Sequence, residues 1–253
     1  MTDPELIAGL KLVVREFAGG FWRNPVLAGT CERCFTPTRP GPLCPPCRRD
    51  LDLNRGPDHL GFMTYAGYMD PIGQSGRVMR AYKSPAVPRG AAHRDVTFLT
   101  ALGARAHTAC VGALSGSIVT AWATVPSLPP RSGAHPLNEL VRGLARSEAA
   151  EVVLEGSQTS DPRSYDPDHF RVVAGNVTGQ HVLLIDDTWT SGSHAQSAAA
   201  ALRASGATTV SVLVLARWLK IGWEATTQEW VRSNLTFPDY NPEICPWTRG
   251  ACP

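Results

Sequence analysis

The run Val182-Leu-Leu-Ile-Asp186-Asp187-Thr188-Trp189-Thr190-Ser191-Gly192-Ser193-His194 sets an aliphatic stretch ahead of an acidic pair and a small hydroxyl-rich loop. Its first part predicts a buried strand, since short unbroken apolar runs suit a strand covered on both faces. Ala195-Gln-Ser-Ala-Ala-Ala-Ala-Leu-Arg-Ala204 predicts a helix, closed by Ser205-Gly206. Strand, polar loop and helix N-terminus together make a phosphate site, because N–H groups without intrahelical partners converge there and the helix dipole favours an anion. Asp186 and Asp187 would repel that phosphate, but they can accept bonds from sugar hydroxyls or hold Mg²⁺. The combination points to a ligand with phosphate, sugar hydroxyls and metal together.

Thr208–Ala216 is a second apolar, β-branched run and Ser117–Val125 a third, both expected as buried strands. Helices are expected over 5–18, 71–82, 95–114 and 137–147, with Gly61–Met69 a strand or hairpin and Glu151–Glu155 a short strand. Strands alternating with helices predict a doubly wound parallel sheet, with the ligand at the carboxyl ends of the strands. Residues 156–176, with Asp161-Pro162-Arg163-Ser-Tyr165 near their middle, are polar and turn-rich, the composition of a functional loop or lid. Ser117–Val125 runs into Pro126-Ser127-Leu-Pro-Pro-Arg131, where Arg131 either meets an anion or is a solvated arginine on a connector.

Cys31-x₂-Cys34 and Cys44-x₂-Cys47 are two pairs nine residues apart. Each pair sets two thiolates on one turn, and together they complete a tetrahedral Cys₄ site for structural Zn²⁺. Iron–sulfur ligation and a pair of disulfides are the other readings of that spacing, and the compartment favours zinc. The start of the chain lacks an export signal and no apolar run is long enough to span a membrane, so a cytoplasmic protein is expected. A net charge of +2 is too balanced to point to nucleic acid or an acidic membrane. Cys110 reads as a small buried hydrophobe. Cys245 and Cys252, in a tail rich in tryptophan, read as half the ligands of a metal site at most.

An acidic pair at a strand end also suggests a P-loop enzyme, but the chain contains no Gly-Lys pair and that reading is excluded. A phosphate-receiver domain carries its acidic pair on the first strand, whereas this pair ends a late one. Leu184-Ile-Asp186-Asp187-Thr188-Trp-Thr190-Ser191-Gly192-Ser193 closely resembles the phosphoribosyl-pyrophosphate (PRPP) motif of type I phosphoribosyltransferases. The Cys₄ module ahead of it, and Val125-Pro126, resemble the ComF branch, which is associated with competence and DNA uptake.

The resemblance implies a type I phosphoribosyltransferase fold, a parallel twisted sheet flanked by helices, with a small N-terminal zinc-binding module. It implies residues 1–58 as N-terminal helix and zinc module, 59–220 as the phosphoribosyltransferase domain and 221–253 as a tryptophan-rich extension. Asp186 and Asp187 would be the catalytic pair holding the ribose, and Thr188, Thr190, Ser191, Gly192 and Ser193 would hold the 5′-phosphate. Ser127 and Arg131 would face the pyrophosphate, Arg163 or Arg171 would close over it, and Mg²⁺ would accompany PRPP. The branch's arginine-rich segment is altered here, with His135 at the second arginine while Asn138 is kept. His194 stands where a small residue is usual. The activity implied is transfer of phosphoribosyl from PRPP to an unidentified acceptor, with a homodimer compatible. The alternative is a non-catalytic PRPP or nucleotide sensor, or a DNA-uptake accessory.

Overall fold

The computed structural model describes residues 3–17, 20–38, 41–84, 90–130, 133, 135–144, 148–220, 225–237 and 239–253. In chain order the elements are α1 (Asp3–Phe17), α2 (Pro45–Asp52), β1 (His59–Ala66), α3 (Gly73–Ala81), α4 (Ala91–Ala101), α5 (Thr108–Ser115), β2 (Ala121–Thr124), α6 (Pro136–Leu144), β3 (Ala150–Glu151), β4 (Val153–Gly156), β5 (Phe170–Ala174), β6 (His181–Trp189), α7 (Ser193–Ala204), β7 (Thr209–Trp218) and α8 (Ala225–Leu235). β1-β7-β6-β2-β3 form one sheet, every neighbouring pair parallel.

β6 and β7 lie inside this sheet, and alternate residues supply two cores. Val182, Leu184, Val210 and Val212 face α7, whose Ala195, Ala198 and Ala199 let the helix approach closely. Leu183, Ile185, Leu213 and Leu215 face the opposite side, where Leu99, Val111, Leu137 and Val141 cover them. The expected parallel sheet flanked by helices is therefore present, with the Cys₄ segment beside it. Phe35 of that segment meets Phe62 edge-on at 5.6 Å, and Phe62 meets Trp189 at 5.7 Å. Among the described residues no helix is long and apolar enough to cross a membrane.

Four local expectations need correction. The 117–125 run becomes a strand only from Ala121, because Ser117 is engaged by the His181 ring at 2.9 Å and Ile118 is 83% exposed. The helix expected over 95–114 is interrupted: a π-turn covers Leu102–Ala106, and His107 (φ −120°, ψ 0°) separates it from α5. Residues 151–155 split at Val152. β3 joins the parallel sheet, whereas β4 pairs antiparallel with β5. Residues 156–176 accordingly contain a strand and bury both His169 and Phe170 in place of forming one open loop.

Candidate functional site

β2 ends opposite Ile185, while β6 continues four residues farther beside β7 alone. A crevice opens where a strand outlasts its neighbour, and the acidic pair stands at that point. The final bond between the two strands' ends runs from Val125 N–H to the Ile185 carbonyl at 3.0 Å. The chain then turns through half-buried Ser127 and the cis Leu128–Pro129 peptide. Arg131 lies outside the described residues.

Asp186 and Asp187 are 8% and 6% exposed, and their surroundings differ. The Tyr82 hydroxyl donates to Asp187 Oδ2 at 2.6 Å, Lys83 Nζ sits at 2.6 Å from the same oxygen, and His135 Nε2 is 3.6 Å away. Burial alone would raise the Asp187 carboxyl. Lys83, His135 and the Tyr82 hydroxyl outweigh it and hold the group below the ordinary carboxylate range. Among the described residues no cation touches Asp186, and Lys83 acts on it only from farther away. Burial first, and then the charge of Asp187, push it up to about 8. Ionisation is therefore favoured at Asp187 and opposed at Asp186.

The two aspartates should respond oppositely to amide substitution. Asp186 keeps a proton in the fold that the unfolded chain gives up near its ordinary 3.8, so its penalty on stability grows as pH rises from there to about 8. Asp186→Asn is expected to stabilise by about 1–3 kcal/mol at pH 7, with the gain shrinking toward pH 4. Asp187→Asn is expected to destabilise by about 2 kcal/mol; the effect is limited because Lys83 keeps some access to water. Urea unfolding at pH 5 and pH 8 checks both, and equal effects from the two variants would refute the asymmetry.

Thr188 and Trp189 still belong to β6, and Thr190, Ser191 and Gly192 turn the chain into α7. Gly192 adopts φ +87°, and a Cβ there would lie 2.0 Å from the Trp189 indole, so only glycine fits. No side chain caps α7, leaving its first N–H groups to the loop side. The Ser191 and Ser193 hydroxyls are 3.1 Å apart.

Arg217, at the end of β7 and 5% exposed, reaches under this loop. Its Nη1 donates to the carbonyls of Trp189 (2.8 Å) and Thr190 (3.0 Å), and its Nε donates to the Cys34 carbonyl at 2.6 Å. In a trans peptide the N–H points opposite to the C=O. Arg217 thus turns the Thr190 and Ser191 N–H groups away from itself.

A cleft of about 1310 Å³ is lined by Thr190, Ser191, Ser193 and Arg217 together with Arg48 and Arg163; Asp186 and Asp187 are not among its lining residues. Arg163 is held there because His194 Nε2 lies 2.5 Å from the Pro162 carbonyl and the Asp166 N–H donates to Ser197 Oγ at 3.0 Å. Arg171 is placed elsewhere, on β5, where it pairs with Glu155 at 2.6 Å. Tyr82, Lys83, His135 and Arg217 join the site without having been predicted as members. Arg217 left a local signal, a charge at the end of an apolar run, and His135 stands out as a departure in the arginine-rich segment; Tyr82 and Lys83 come from a distant segment without one.

Cys31, Cys34, Cys44 and Cys47 are buried, and their sulfurs lie within 4.8 Å of one another. Cys34 and Cys44 sulfurs are 3.7 Å apart. Tetrahedral Zn–S bonds of about 2.3 Å require sulfurs about 3.8 Å apart, so four soft donors at this spacing suit zinc.

No family model matches the sequence, and no curated protein matches it. Among solved structures, a phosphoribosyltransferase from Corynebacterium diphtheriae is similar at 18% identity and TM-score 0.33, over 58% of this chain and 84% of that one. The orotate phosphoribosyltransferase of Mycobacterium tuberculosis H37Rv matches at 18% identity and TM-score 0.33, over 56% and 76%. Phosphoribosylpyrophosphate synthetase from Mycobacterium smegmatis matches at 19% identity and TM-score 0.30, over 44% of this chain and 31% of that one.

Proposed function

We propose that this chain binds PRPP and transfers its phosphoribosyl group to a nitrogen nucleophile with release of pyrophosphate. One observation carries the reading: a buried acidic pair at the open end of β6 is followed within one turn by an uncapped helix N-terminus, and the loop between them lines a cleft. The amides and hydroxyls of Thr188–Ser193 would seat the 5′-phosphate, while Asp186 and Asp187 would orient the ribose hydroxyls. The Ser127 loop, with Arg131, would face the pyrophosphate. As the bond from C1 to the pyrophosphate oxygen breaks, the nucleophile's nitrogen bonds to C1 and the electron pair leaves with pyrophosphate. Ribose binding to Asp187 would release Lys83, whose ammonium could then meet the leaving group in the role first given to Arg163 or Arg171. Mg²⁺ bound with PRPP would add charge stabilisation to the pyrophosphate. Zn²⁺ on the four cysteines would be structural.

A second reading is favoured by the internal partners of Asp187: a site whose acid is already paired with Lys83 and Tyr82 would serve as a sensor that holds PRPP without reacting it. The Cys₄ module ahead of the sheet, resembling the ComF branch, would connect such a protein to DNA uptake. Calorimetry with PRPP and Mg²⁺ is expected to show micromolar binding that Asp187→Asn weakens about tenfold or more. Absence of binding to the native protein would sink both readings. Pyrophosphate release across ammonia and a panel of bases then separates them, since binding with silence across the panel selects the sensor.

A further inference from the structure

We propose a second, structural metal site formed by His107, Cys110, Cys245 and Cys252, taking Zn²⁺ or another thiophilic divalent cation. The four residues come from two places far apart in the chain. His107 and Cys110 flank the start of α5, where the helical run is broken, and Cys245 and Cys252 bracket a turn in the tail. One ligand atom from each lies within 4.8 Å of the other three. His107 Nδ1 is 3.6 Å from the Cys252 sulfur and 3.9 Å from the Cys110 sulfur. In a tetrahedral site with Zn–S near 2.3 Å and Zn–N near 2.0 Å, nitrogen and sulfur sit about 3.5 Å apart, so only small adjustments would close the shell.

The imidazole is the strongest pointer. His107 is 1% exposed, and its Nε2 has no hydrogen-bond partner among the described residues. Its Nδ1 faces sulfur atoms at distances too long for strong bonds. A cation at Nδ1 would give that nitrogen the strong partner the distant sulfurs do not supply, and it would fix the proton on Nε2. Cys245 is fully buried and Cys252 is the exposed member.

The backbone around the cluster is already shaped. The Arg249 N–H donates to the Cys245 carbonyl and the Cys245 N–H to the Gly250 carbonyl, both at 2.8 Å, while Arg249 takes φ +65° to close the turn. Trp247 Nε1 donates to the His107 carbonyl at 2.8 Å, pinning the tail to the break before α5. Residues 239–253 carry no helix or strand, and a segment without its own ladder is what a metal clip holds. Four protein ligands leave no open position, so the site is structural rather than catalytic. It would also brace the first cysteine turn, because Arg249 donates to the Glu32 carbonyl at 2.5 Å and lies over the Phe35 ring at 4.6 Å.

The test is metal content of the full chain, produced with zinc and purified without chelator, measured by elemental mass spectrometry. Two zinc ions per chain are expected, falling to one in both Cys245→Ser and Cys252→Ser. Because Cys252 is exposed, its variant should fold, and circular dichroism checks that it does. Cobalt loading of the native protein gives an independent readout: a mixed S₃N plus S₄ spectrum is expected, and Cys252→Ser should remove the S₃N part. One zinc per chain with a pure S₄ cobalt spectrum would overturn the proposal. So would a native mass about 2 Da low with a disulfide mapped to any two of Cys110, Cys245 and Cys252.

Discussion

Gly192→Ala is expected to cost about 3–4 kcal/mol of stability and to abolish binding of a 5′-phosphate. A residue at φ +87° with a Cβ loses about 1 kcal/mol to backbone strain. The larger share comes from Trp189, whose indole carbons lie 2.0–2.7 Å from the new methyl and which is buried on its other faces. Displacing that ring disturbs its edge contact with Phe62, and overpacking of this kind costs a further ~2 kcal/mol or more. The loop amides move with it, so the phosphate would lose its donors as well. Urea unfolding and titration with ribose 5-phosphate measure the two effects. Adding Trp189→Phe should recover part of the stability by vacating the space of the indole; a native-like midpoint in the single variant would show that the ring is free to move.

Arg217→Met should be nearly as damaging, at about 3–4 kcal/mol. The guanidinium serves the carbonyls of Cys34, Trp189, Thr190 and Trp218 and the hydroxyl of Thr36. Methionine keeps the bulk and leaves these acceptors without donors in a buried place. Arg217→Lys is expected to rescue little, because one ammonium cannot reach both the cysteine turn and the phosphate loop. The diagnostic outcome is a joint effect: faster zinc loss to a chelator together with weaker ribose 5-phosphate binding. Loss of one without the other would mean that Arg217 does not couple the two segments.

What could be read from residues alone follows from range. β6, β7 and α7 were legible because apolar runs and a helix closed at Ser205-Gly206 are local patterns, and the Cys₄ spacing is equally local. The pairing of Asp187 with Lys83 spans 104 positions, and that of His107 with Cys252 spans 145. No periodicity encodes contacts of that kind; they appear only when the sheet order is known. The tail cysteines therefore read as half a ligand set, and Cys110 as a plain core residue. The split of residues 151–155 was hidden for a different reason. A two-residue strand makes too short a pattern, and the partner of the following residues, Phe170–Ala174, lies well away in the sequence.

The contact between His194 and the Pro162 carbonyl, with Ser197 accepting the Asp166 N–H, bears on the thermodynamics of ligand capture. A segment that becomes ordered only around its ligand adds an entropic penalty and a large negative heat-capacity change to the binding event. Here the segment carrying Arg163 is seated against α7 before any ligand arrives, so its ordering falls within folding. Binding at this wall should accordingly show a small heat-capacity change and an association rate set by encounter and ligand desolvation rather than by chain rearrangement.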